Sequence, residues 1–582
     1  MKLSSRVGVG LVGCAVIAAG QGLAVAPTAG AAETESYPIY TVERVGLTKS
    51  ELGELTERLG PVMGKGDFIE AADASLHFFS PSSMSAGYTI SETPPATASD
   101  SQDDEKGAPL PRASWDTAYL AKAPLVSPKR AERLLLNAVA SLDLGDEKVD
   151  ASASSTELEI YNPSQDLVQF SGSTGTTVGR LSQLSGAPLV GPGQSLDLYF
   201  GADGKVAYAN VNVRKVKQSK RAMRVPVGSA AAKACATALG SVKGAEYSGI
   251  PVYYLAAGAK KGASVFPALS CSTVGIPDVV AQEMIVDVRD LRRPVAADLG
   301  TALIEQIPTD EGLAEFGSAY LGDNASGPLN NACNGPCPSG WVARDFSQEN
   351  VDPFDASMLG GGFTQLIDGV DFVSPGMFVG GLGAQANAVD LMYYTGHASA
   401  NTWQANTTNN PASRTSVNVD DVRLGQVDLE WLVIAACGPL QATDGAGTIW
   451  RDRLTPMFQG LHALMAYATV SNVSVIEGQR FADYAQGALT PPGLGETDLR
   501  GWRFPITWAW QFAAIDAQPT QTRARPATAT TRAVPAVTIQ GAIMGTSASD
   551  GTGGTAMDCL ACFSPDQYPG RGDSVWRLAF GT

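Results

Sequence analysis

The sequence predicts a multidomain protein with an amino-terminal α+β region and a carboxy-terminal layered α/β domain whose sheet is mostly parallel. First, its 582 residues exceed what one ordinary hydrophobic core contains. Second, residues 32–310 combine capped amphipathic helices with alternating strand patterns. Third, residues 335–515 contain short, continuously apolar runs separated by loops and helical segments. Such runs are typical of parallel strands that are covered on both faces by helices.

The first 31 residues have the features of an export signal peptide. Lys2 and Arg6 give a positive start, the following stretch is largely apolar, and small residues precede a cleavage position after Ala31. An alternative is acylation at Cys14, because residues 11–14 have the form of a lipoprotein site. The long apolar run favours cleavage near Ala31, so we expect a secreted or extracytoplasmic protein in which disulfides persist.

Helix and hairpin signals follow in the amino-terminal region. Thr48 and Glu51 have capping-box spacing and predict a helix to about Leu59, while Ser127-Pro128 begins a second helix with one apolar face. The other expected elements are a hairpin over Leu196–Val213, a helix from Ser229 that carries Cys235, strands near Val252–Leu255, Val265–Ser270 and Glu283–Val286, and a polar loop over Pro94–Ala113.

The helices around Ala131 and Ala234 are each followed by strand segments at similar spacing, which indicates a weak internal duplication. In this respect the region resembles PepSY-like propeptide domains. The resemblance implies an accessory or propeptide-like region that can pack on the carboxy-terminal domain. The alternative is an α+β scaffold without that relationship.

Strand, loop and helix patterns alternate beyond residue 335. The expected strands are Trp341–Arg344, Val370–Val373, Val389–Tyr394, Leu432–Ala436 and Val470–Ile476, with a helix over Pro456–Tyr467. Residues 516–554 form a low-complexity segment, and Gln518–Gly554, rich in Pro, Thr, Ala and Gly, is expected to be poorly ordered. Residues 555–582 are expected to be a tail that contains a disulfide.

Charge and composition exclude several kinds of partner. The net charge of −17 argues against nucleic-acid binding, which needs a basic face. After the leader, no apolar run is long enough to span a membrane. Cys and His do not cluster at metal-ligand spacing, so we expect neither a metal nor a cofactor.

Seven cysteines remain after the leader, and an odd count in a secreted protein points to a free thiol. Sequence proximity suggests the pairs Cys235–Cys271, Cys333–Cys337 and Cys559–Cys562, although six cysteines allow 15 connectivities. Cys437 is then the residue left unpaired.

Two of the apolar runs end beside residues suited to thiol catalysis. Val389–Tyr394 is followed by Thr395-Gly396-His397, and Trp431–Ala436 is followed by Cys437-Gly438. The carboxyl ends of parallel strands are where ligands bind in open α/β sheets, and an imidazole there could activate a thiol nucleophile. Free backbone N–H groups at Gly396, Ala398 and Gly438 could face a developing oxyanion.

At these residues the sequence resembles the caspase-like cysteine peptidases, whose pattern is an apolar block, His-Gly, a spacer, and an apolar block ending in Ala-Cys. The resemblance implies a three-layer α/β/α sandwich in which His397 is the general base and acid and Cys437 is the nucleophile that cleaves a protein or peptide substrate. The whole chain also resembles an uncharacterised group of secreted actinobacterial proteins.

The sequence differs from the caspase-like pattern at Ala398, where the family has glycine. Asp390, Asp428 and Asp444 are candidates for selecting a basic side chain of the substrate, but they are also ordinary solvated carboxylates. The competing interpretation is a non-catalytic secreted or cell-surface binding protein, in which Cys437 is a small buried apolar residue and His397 a hydrogen-bonded turn residue. His77 and His462 are expected to be structural, the latter on the helix over Pro456–Tyr467.

Overall fold

The structure is a computed structural model. It describes residues 34–71, 74–91, 112–163, 165–239, 246–256, 259–274, 283–287, 315–321, 346–370, 373–381, 384–406, 414–426, 429–471, 474, 476–486, 505–518, 538–547 and 574–582. The expected signal peptide, the strand at Trp341–Arg344 and the pairs Cys333–Cys337 and Cys559–Cys562 therefore lie outside the described residues.

The amino-terminal region contains strands β1 to β15 and helices α1 to α5. The strands are Thr34–Val45, Asp67–Glu70, Leu76–Phe79, Tyr88–Ser91, Arg112–Trp115, Lys148–Asn162, Leu167–Leu184, Ala187–Val190, Leu196–Phe200, Val206–Val211, Arg214–Pro226, Glu246–Tyr254, Ser264–Val265, Pro267–Val274 and Glu283–Asp287. The helices are Lys49–Leu59, Pro81–Met84, Thr117–Leu120, Pro128–Val139 and Gly228–Leu239.

The carboxy-terminal part contains strands β16 to β24 and helices α6 to α9. The strands are Glu315–Tyr320, Thr364–Val370, Leu391–Thr395, Thr402–Asn406, Arg414–Asn418, Trp431–Ala435, Ala463–Tyr467, Gln540–Ser547 and Ser574–Gly581. The helices are Phe346–Gly360, Trp450–Leu454, Glu477–Ala485 and Ile506–Ala517.

The predicted starts of the two amino-terminal helices are confirmed, although Ser127 makes no side-chain capping hydrogen bond to the second helix. The Thr48 hydroxyl accepts from the Glu51 N–H at 3.2 Å, and the Glu51 carboxylate accepts from the Thr48 N–H at 2.8 Å, so α1 begins with a complete capping box. Pro128 occupies the first turn of α4, where its missing N–H costs no helical hydrogen bond. The expected hairpin is also present, because β9 and β10 pair antiparallel.

Five parallel strands form the centre of the carboxy-terminal sheet, in the order β17-β16-β18-β21-β22. Strands β23 and β24 then extend this sheet in antiparallel fashion, and β24 pairs with β6 of the amino-terminal region. Strand β6 pairs with β7, whose other edge contacts both β8 and β9. Backbone hydrogen bonds therefore connect the two regions through one continuous mixed sheet.

The two faces of the parallel sheet bury alternate side chains against different layers. Leu391 and Tyr393 of β18 pack with helices α6, α8 and α9, and Phe354 of α6 stacks on Tyr393 with ring centroids 4.5 Å apart. Met392 and Tyr394 point to the other face. There the cover is the hairpin β19–β20, the short helix α7 and irregular segments, whereas the sequence pattern predicts helices on both faces. The described protein is thus a mixed α/β sheet protein with unequal layers.

Three expectations for the carboxy-terminal part were wrong. Ala463–Tyr467 forms β22 instead of the end of a helix, because these residues lie between β21 and β23 and are buried on both faces. The strand expected at Val370–Val373 lies earlier, at Thr364–Val370, and the described residues of Val470–Ile476 form no strand.

The carboxy-terminal segments are also more regular than expected. Gln540–Ser547, inside the segment expected to be poorly ordered, forms β23, and Ser574–Gly581 of the tail forms β24. Arg112 and Ala113, expected at the end of a loop, begin β5 instead. Long-range pairing with partners far away in sequence stabilises these strands, and local composition does not report such pairing. None of the helices in the described residues has the length and apolar character needed to cross a membrane.

Candidate functional site

His397 and Cys437 lie at the same edge of the parallel sheet. Strands β18 and β21 are adjacent and pair in parallel, with Leu391 opposite Trp431 and Thr395 opposite Ala435. His397 follows Thr395 by two residues, and Cys437 follows Ala435 by two residues. The sequence expectation that these two apolar runs form neighbouring strands is confirmed, and both residues leave the sheet at its carboxyl edge.

The backbone around His397 is tightly packed. A Cβ added to Gly396 would meet the Tyr394 hydroxyl and would lie 2.9 Å from Leu321 Cβ, so this position leaves no room for a side chain. The His397 carbonyl accepts a hydrogen bond from the Gln404 N–H at 2.8 Å. Ala398 and Trp403 form an isolated antiparallel β-bridge. His397 is 7% exposed, so its ring is held in a mostly enclosed turn.

Gly438 shapes the turn that follows Cys437. Its φ of +80° lies in the left-handed region, which glycine adopts without the steric cost that other residues incur. The Gln441 N–H donates to the Gly438 carbonyl at 3.1 Å and closes the turn. The chain therefore reverses directly after the thiol, and Cys437 remains at the strand exit.

Cys437 is the free cysteine among the described residues, and the residue is partly exposed. The Ser471 N–H donates to its Sγ at 3.2 Å, and the Ser471 carbonyl and hydroxyl lie 3.5 Å from the sulfur. Enclosure of the sulfur raises the pKa of the Cys437 thiol above its ordinary value, and the Ser471 contacts oppose that rise only in part. The resting group is consequently a neutral thiol at physiological pH.

Arg453 connects the turns that carry His397 and Cys437, and sequence reasoning missed it. It projects from α7 and is 4% exposed. Its guanidinium donates to the Ala400 carbonyl and, at 2.6 Å, to the Gln441 carbonyl. The Asn401 amide also donates to the Asp444 carboxylate at 2.9 Å. Because two of these acceptors are backbone carbonyls, the sequence carries no side-chain signal for them.

A second missed residue is Glu477, which begins α8 and is 2% exposed. The Tyr467 hydroxyl donates to its carboxylate, and the Asn350 amide lies 3.5 Å from it. Burial raises the pKa of Glu477 to about 8, although the side-chain hydrogen bonds lower it. A charged Glu477 also raises the pKa of the Cys437 thiol, so the two groups are within electrostatic range.

Of the three aspartates proposed to select a basic substrate side chain, Asp444 lies near this edge and Asp390 does not. Asp390 precedes β18, at the opposite end of the strand from His397, and its carboxylate accepts from the Glu315 N–H at 2.5 Å. Asp444 accepts from Asn401 and from two backbone N–H groups, and these bonds lower its pKa to about 2. Asp428 lies outside the described residues. The Asp390 candidate was therefore wrong, because its strand carries it away from the site.

The other histidines lie elsewhere. His462 immediately precedes β22, at the amino edge of the sheet, and its ring meets Trp431 edge to face at 6.3 Å. It does not lie on a helix, contrary to the sequence expectation.

His77 belongs to a buried network in which the Ser75 hydroxyl lies 2.8 Å from Nε2 and the Asp516 carboxylate 3.9 Å from Nδ1. The hydroxyl, imidazole and carboxylate follow one another in the same order as in a hydrolytic triad, but Ser75 is fully buried. The hydroxyls of Tyr208 and Tyr484 donate to Asp516 in the same network. A substrate cannot reach this serine, so the cluster is a packed polar network.

The disulfide expected between Cys235 and Cys271 is confirmed. It joins α5 to β14, and both residues are fully buried. Among the described residues, no group of three or more His, Cys, Asp and Glu side chains has an arrangement that could hold a metal ion.

Comparisons with known proteins give a family match without a function. Residues 369–546 match the model of a domain of unknown function, DUF6345, and this segment contains both His397 and Cys437. No curated protein matches the chain. An uncharacterised protein from Eubacterium rectale ATCC 33656, known from a crystal structure, is similar at 10% identity with a TM-score of 0.24, over 47% of this chain and 87% of that one.

Proposed function

We propose that this protein is a secreted cysteine peptidase of caspase-like fold that hydrolyses peptide bonds with Cys437 as nucleophile and His397 as general base and acid. The observation that carries the proposal is the parallel register of β18 and β21, which brings both residues out at one edge of the sheet. Cys437 is also unpaired, whereas the other two described cysteines, both in the amino-terminal region, form a disulfide.

The reaction follows from the two side chains. The imidazole of His397 accepts the thiol proton as the Cys437 sulfur attacks the substrate carbonyl carbon, and the carbonyl oxygen becomes an oxyanion. Backbone N–H groups of the turns at Gly396, Ala398 and Gly438 are the proposed donors to that oxyanion. His397 then gives its proton to the leaving amine as the C–N bond breaks, and water hydrolyses the remaining thioester.

Burial raises the pKa of the Cys437 thiol and so favours its neutral form before substrate binds. A neutral resting thiol reacts slowly, because the thiolate is the nucleophile. In the proposed mechanism His397 therefore takes the thiol proton as the sulfur attacks the bound substrate. Such an enzyme is weakly reactive toward small electrophiles until a substrate fills the site.

The amino-terminal region is proposed to pack on the α/β part and to restrict it. Pairing of β24 with β6 supports this role, as does the bond from the Tyr208 hydroxyl to Asp516 of α9. The disulfide supports an extracytoplasmic location, because such bonds persist in oxidising compartments.

One observation favours a second candidate, a non-catalytic secreted or cell-surface binding protein on the same fold. The Cys437 sulfur is enclosed and hydrogen-bonded to Ser471, as in an inert structural cysteine. A labelling and cleavage experiment separates the two candidates.

Native protein is treated with iodoacetamide or a peptidyl electrophile, and a broad peptide library is assayed for cleavage. The peptidase predicts that Cys437 is labelled first, that a peptidyl electrophile outpaces iodoacetamide, and that Cys437→Ala abolishes cleavage. His397→Ala should reduce cleavage by roughly 10³-fold or more.

His462→Gln is the matched control, since it alters a histidine at the opposite edge of the same sheet. It should leave cleavage close to that of the unaltered protein. Absence of cleavage in the full chain and after removal of the amino-terminal region by limited proteolysis, together with labelling only in denaturant, would refute the peptidase and favour the binding protein.

A further inference from the structure

Arg453 is a buried cation that contacts both of the turns that carry the proposed catalytic pair. Its Nη1 donates to the Ala400 carbonyl and lies 3.5 Å from Asn401 Oδ1. Its Nη2 donates to the Gln441 carbonyl at 2.6 Å. Ala400 is three residues beyond His397, and Gln441 is four residues beyond Cys437.

The geometry of the guanidinium suits a side chain that joins two turns. Its N–H donors lie in one rigid plane, so two acceptors bound by the same group have a fixed separation. The turn after β18 and the turn after β21 are thereby locked to each other through one side chain. A lysine ammonium presents its donors from a single nitrogen and does not reproduce the fork.

A second connection runs in parallel through Asp444. The Asn401 amide donates to the Asp444 carboxylate at 2.9 Å, and this carboxylate also accepts from the Ala446 and Thr448 N–H groups at 2.9 and 2.7 Å. The Trp450 N–H donates to the Ala442 carbonyl at 2.9 Å, which fixes the start of α7 to the same segment. Helix α7 thus has a fixed position relative to both turns.

Burial of the charged Arg453 side chain is unfavourable unless hydrogen bonds compensate for the water that it loses. At 4% exposure, removal of the guanidinium from water is costly, and desolvation lowers the pKa of Arg453. The two backbone carbonyls offset this cost, and they belong to the two segments whose relative position determines the distance between imidazole and sulfur. An apolar residue would pack at this position without joining the segments.

We propose that Arg453 is a positioning residue that holds the His397 turn and the Cys437 turn at reactive separation; this inference rests on the proposed peptidase function. A displacement of about 1 Å between reacting groups costs roughly 100-fold in rate. Arg453→Lys keeps the charge but loses the fork. It should lower kcat about 100-fold with little change in KM, because substrate contacts remain.

The test uses the full chain with Arg453→Lys and with Arg451→Lys as its matched control. Arg451 lies two residues earlier on α7, is partly exposed and stacks on Tyr161 with its guanidinium carbon 4.5 Å from the ring centroid. Its replacement should leave kcat and KM unchanged. Each variant is also alkylated with iodoacetamide from pH 5 to 10, because a coupled imidazole and thiol titrate in two steps.

Arg453→Lys should convert the two-step alkylation profile of Cys437 to the single step of an isolated thiol, while Arg451→Lys keeps both steps. Superimposable profiles for all three proteins would overturn the inference, whatever their stability. If Arg453→Lys does not fold, Asp444→Ala provides the second variant, with an expected loss of about 10-fold in kcat and the same change of profile; an unchanged profile there also overturns it.

The alkylation measurement separates the inference from the proposed function. Absence of peptide cleavage in the unaltered protein, both as the full chain and after limited proteolysis of the amino-terminal region, refutes the peptidase. A two-step profile that depends on Arg453 still supports its positioning role in that case. Cleavage that survives Arg453→Lys at full rate refutes the positioning role and leaves the peptidase intact.

Discussion

Glu477→Gln should abolish a large pH dependence of stability. The Glu477 carboxyl is 2% exposed, and burial raises its pKa from 4.5 to about 8. Glutamine has nearly the same shape, and its amide oxygen can still accept from the Tyr467 hydroxyl. The substitution therefore removes the titration and keeps most of the packing.

The sign and size follow from proton linkage. Between pH 4.5 and about 8 the folded protein binds a proton at Glu477 that the unfolded chain has released, so the free energy of unfolding falls as pH rises. The stabilising effect of the protonated group is complete below pH 4.5 and is lost as pH passes through about 8. At 1.36 kcal/mol for each pH unit, the loss approaches roughly 5 kcal/mol as an upper bound.

The measurement is the urea midpoint and slope of unfolding at pH values from 4.5 to 9, for the unaltered protein and for Glu477→Gln. The difference between their free energies of unfolding should change by several kcal/mol over this range and should favour the glutamine variant at high pH. Glu57→Gln, an exposed position on α1, is the control and should follow the unaltered protein. Parallel curves for the unaltered protein and Glu477→Gln would refute the reasoning.

Three further predictions concern stability. Replacement of both Cys235 and Cys271 by alanine should cost about 4 kcal/mol in urea unfolding, since the bond closes a loop of 36 residues; a cost below about 1 kcal/mol would contradict this. Gly438→Ala should lower stability by about 1–2 kcal/mol and slow labelling of Cys437, because φ is +80°, whereas Gly445→Ala, with open space around its Cα, should do neither. Trp576→Ala should cost about 3–5 kcal/mol in the same assay, because this side chain is 1% exposed in the strand that joins the two regions; retention of full stability would contradict its place in the core.

The sequence predicted those elements in which the local pattern of apolar and polar residues matches their burial in the structure. Leu391–Tyr394 and Trp431–Ala435 are apolar at every position, and both form strands buried on two faces. The capping box at Thr48 was equally clear, because both hydrogen-bonding partners, Thr48 and Glu51, are identified by their residue types and spacing. Ala463–Tyr467 has a helix-like composition, because alanine, leucine and methionine favour helices, and only the neighbouring strands impose the extended form.

Site residues could be predicted only where the residue type and its place in the local sequence pattern indicate its chemistry. Histidine and cysteine at strand ends are visible in the sequence, and their adjacency needed only the assumption that consecutive strands pair. Arg453 was not visible, because its acceptors are carbonyls of Ala400 and Gln441, which any residue type supplies. Glu477 was equally hidden, since its burial depends on Asn350 and Tyr467 from other elements.

The position of β24 has a consequence for folding. The five parallel strands pair without it, but hydrogen bonding to the amino-terminal region requires Trp576 to lie beside Ile160, roughly 400 residues away in sequence. Contacts of such separation form late, because the entropy of closing the chain must be lost before they stabilise the fold. One edge of β6 and one edge of β23 are therefore unpaired until β24 is in place. A chain that ends before Ser574 leaves these two edges exposed together, and unpaired edges of this length favour association between chains.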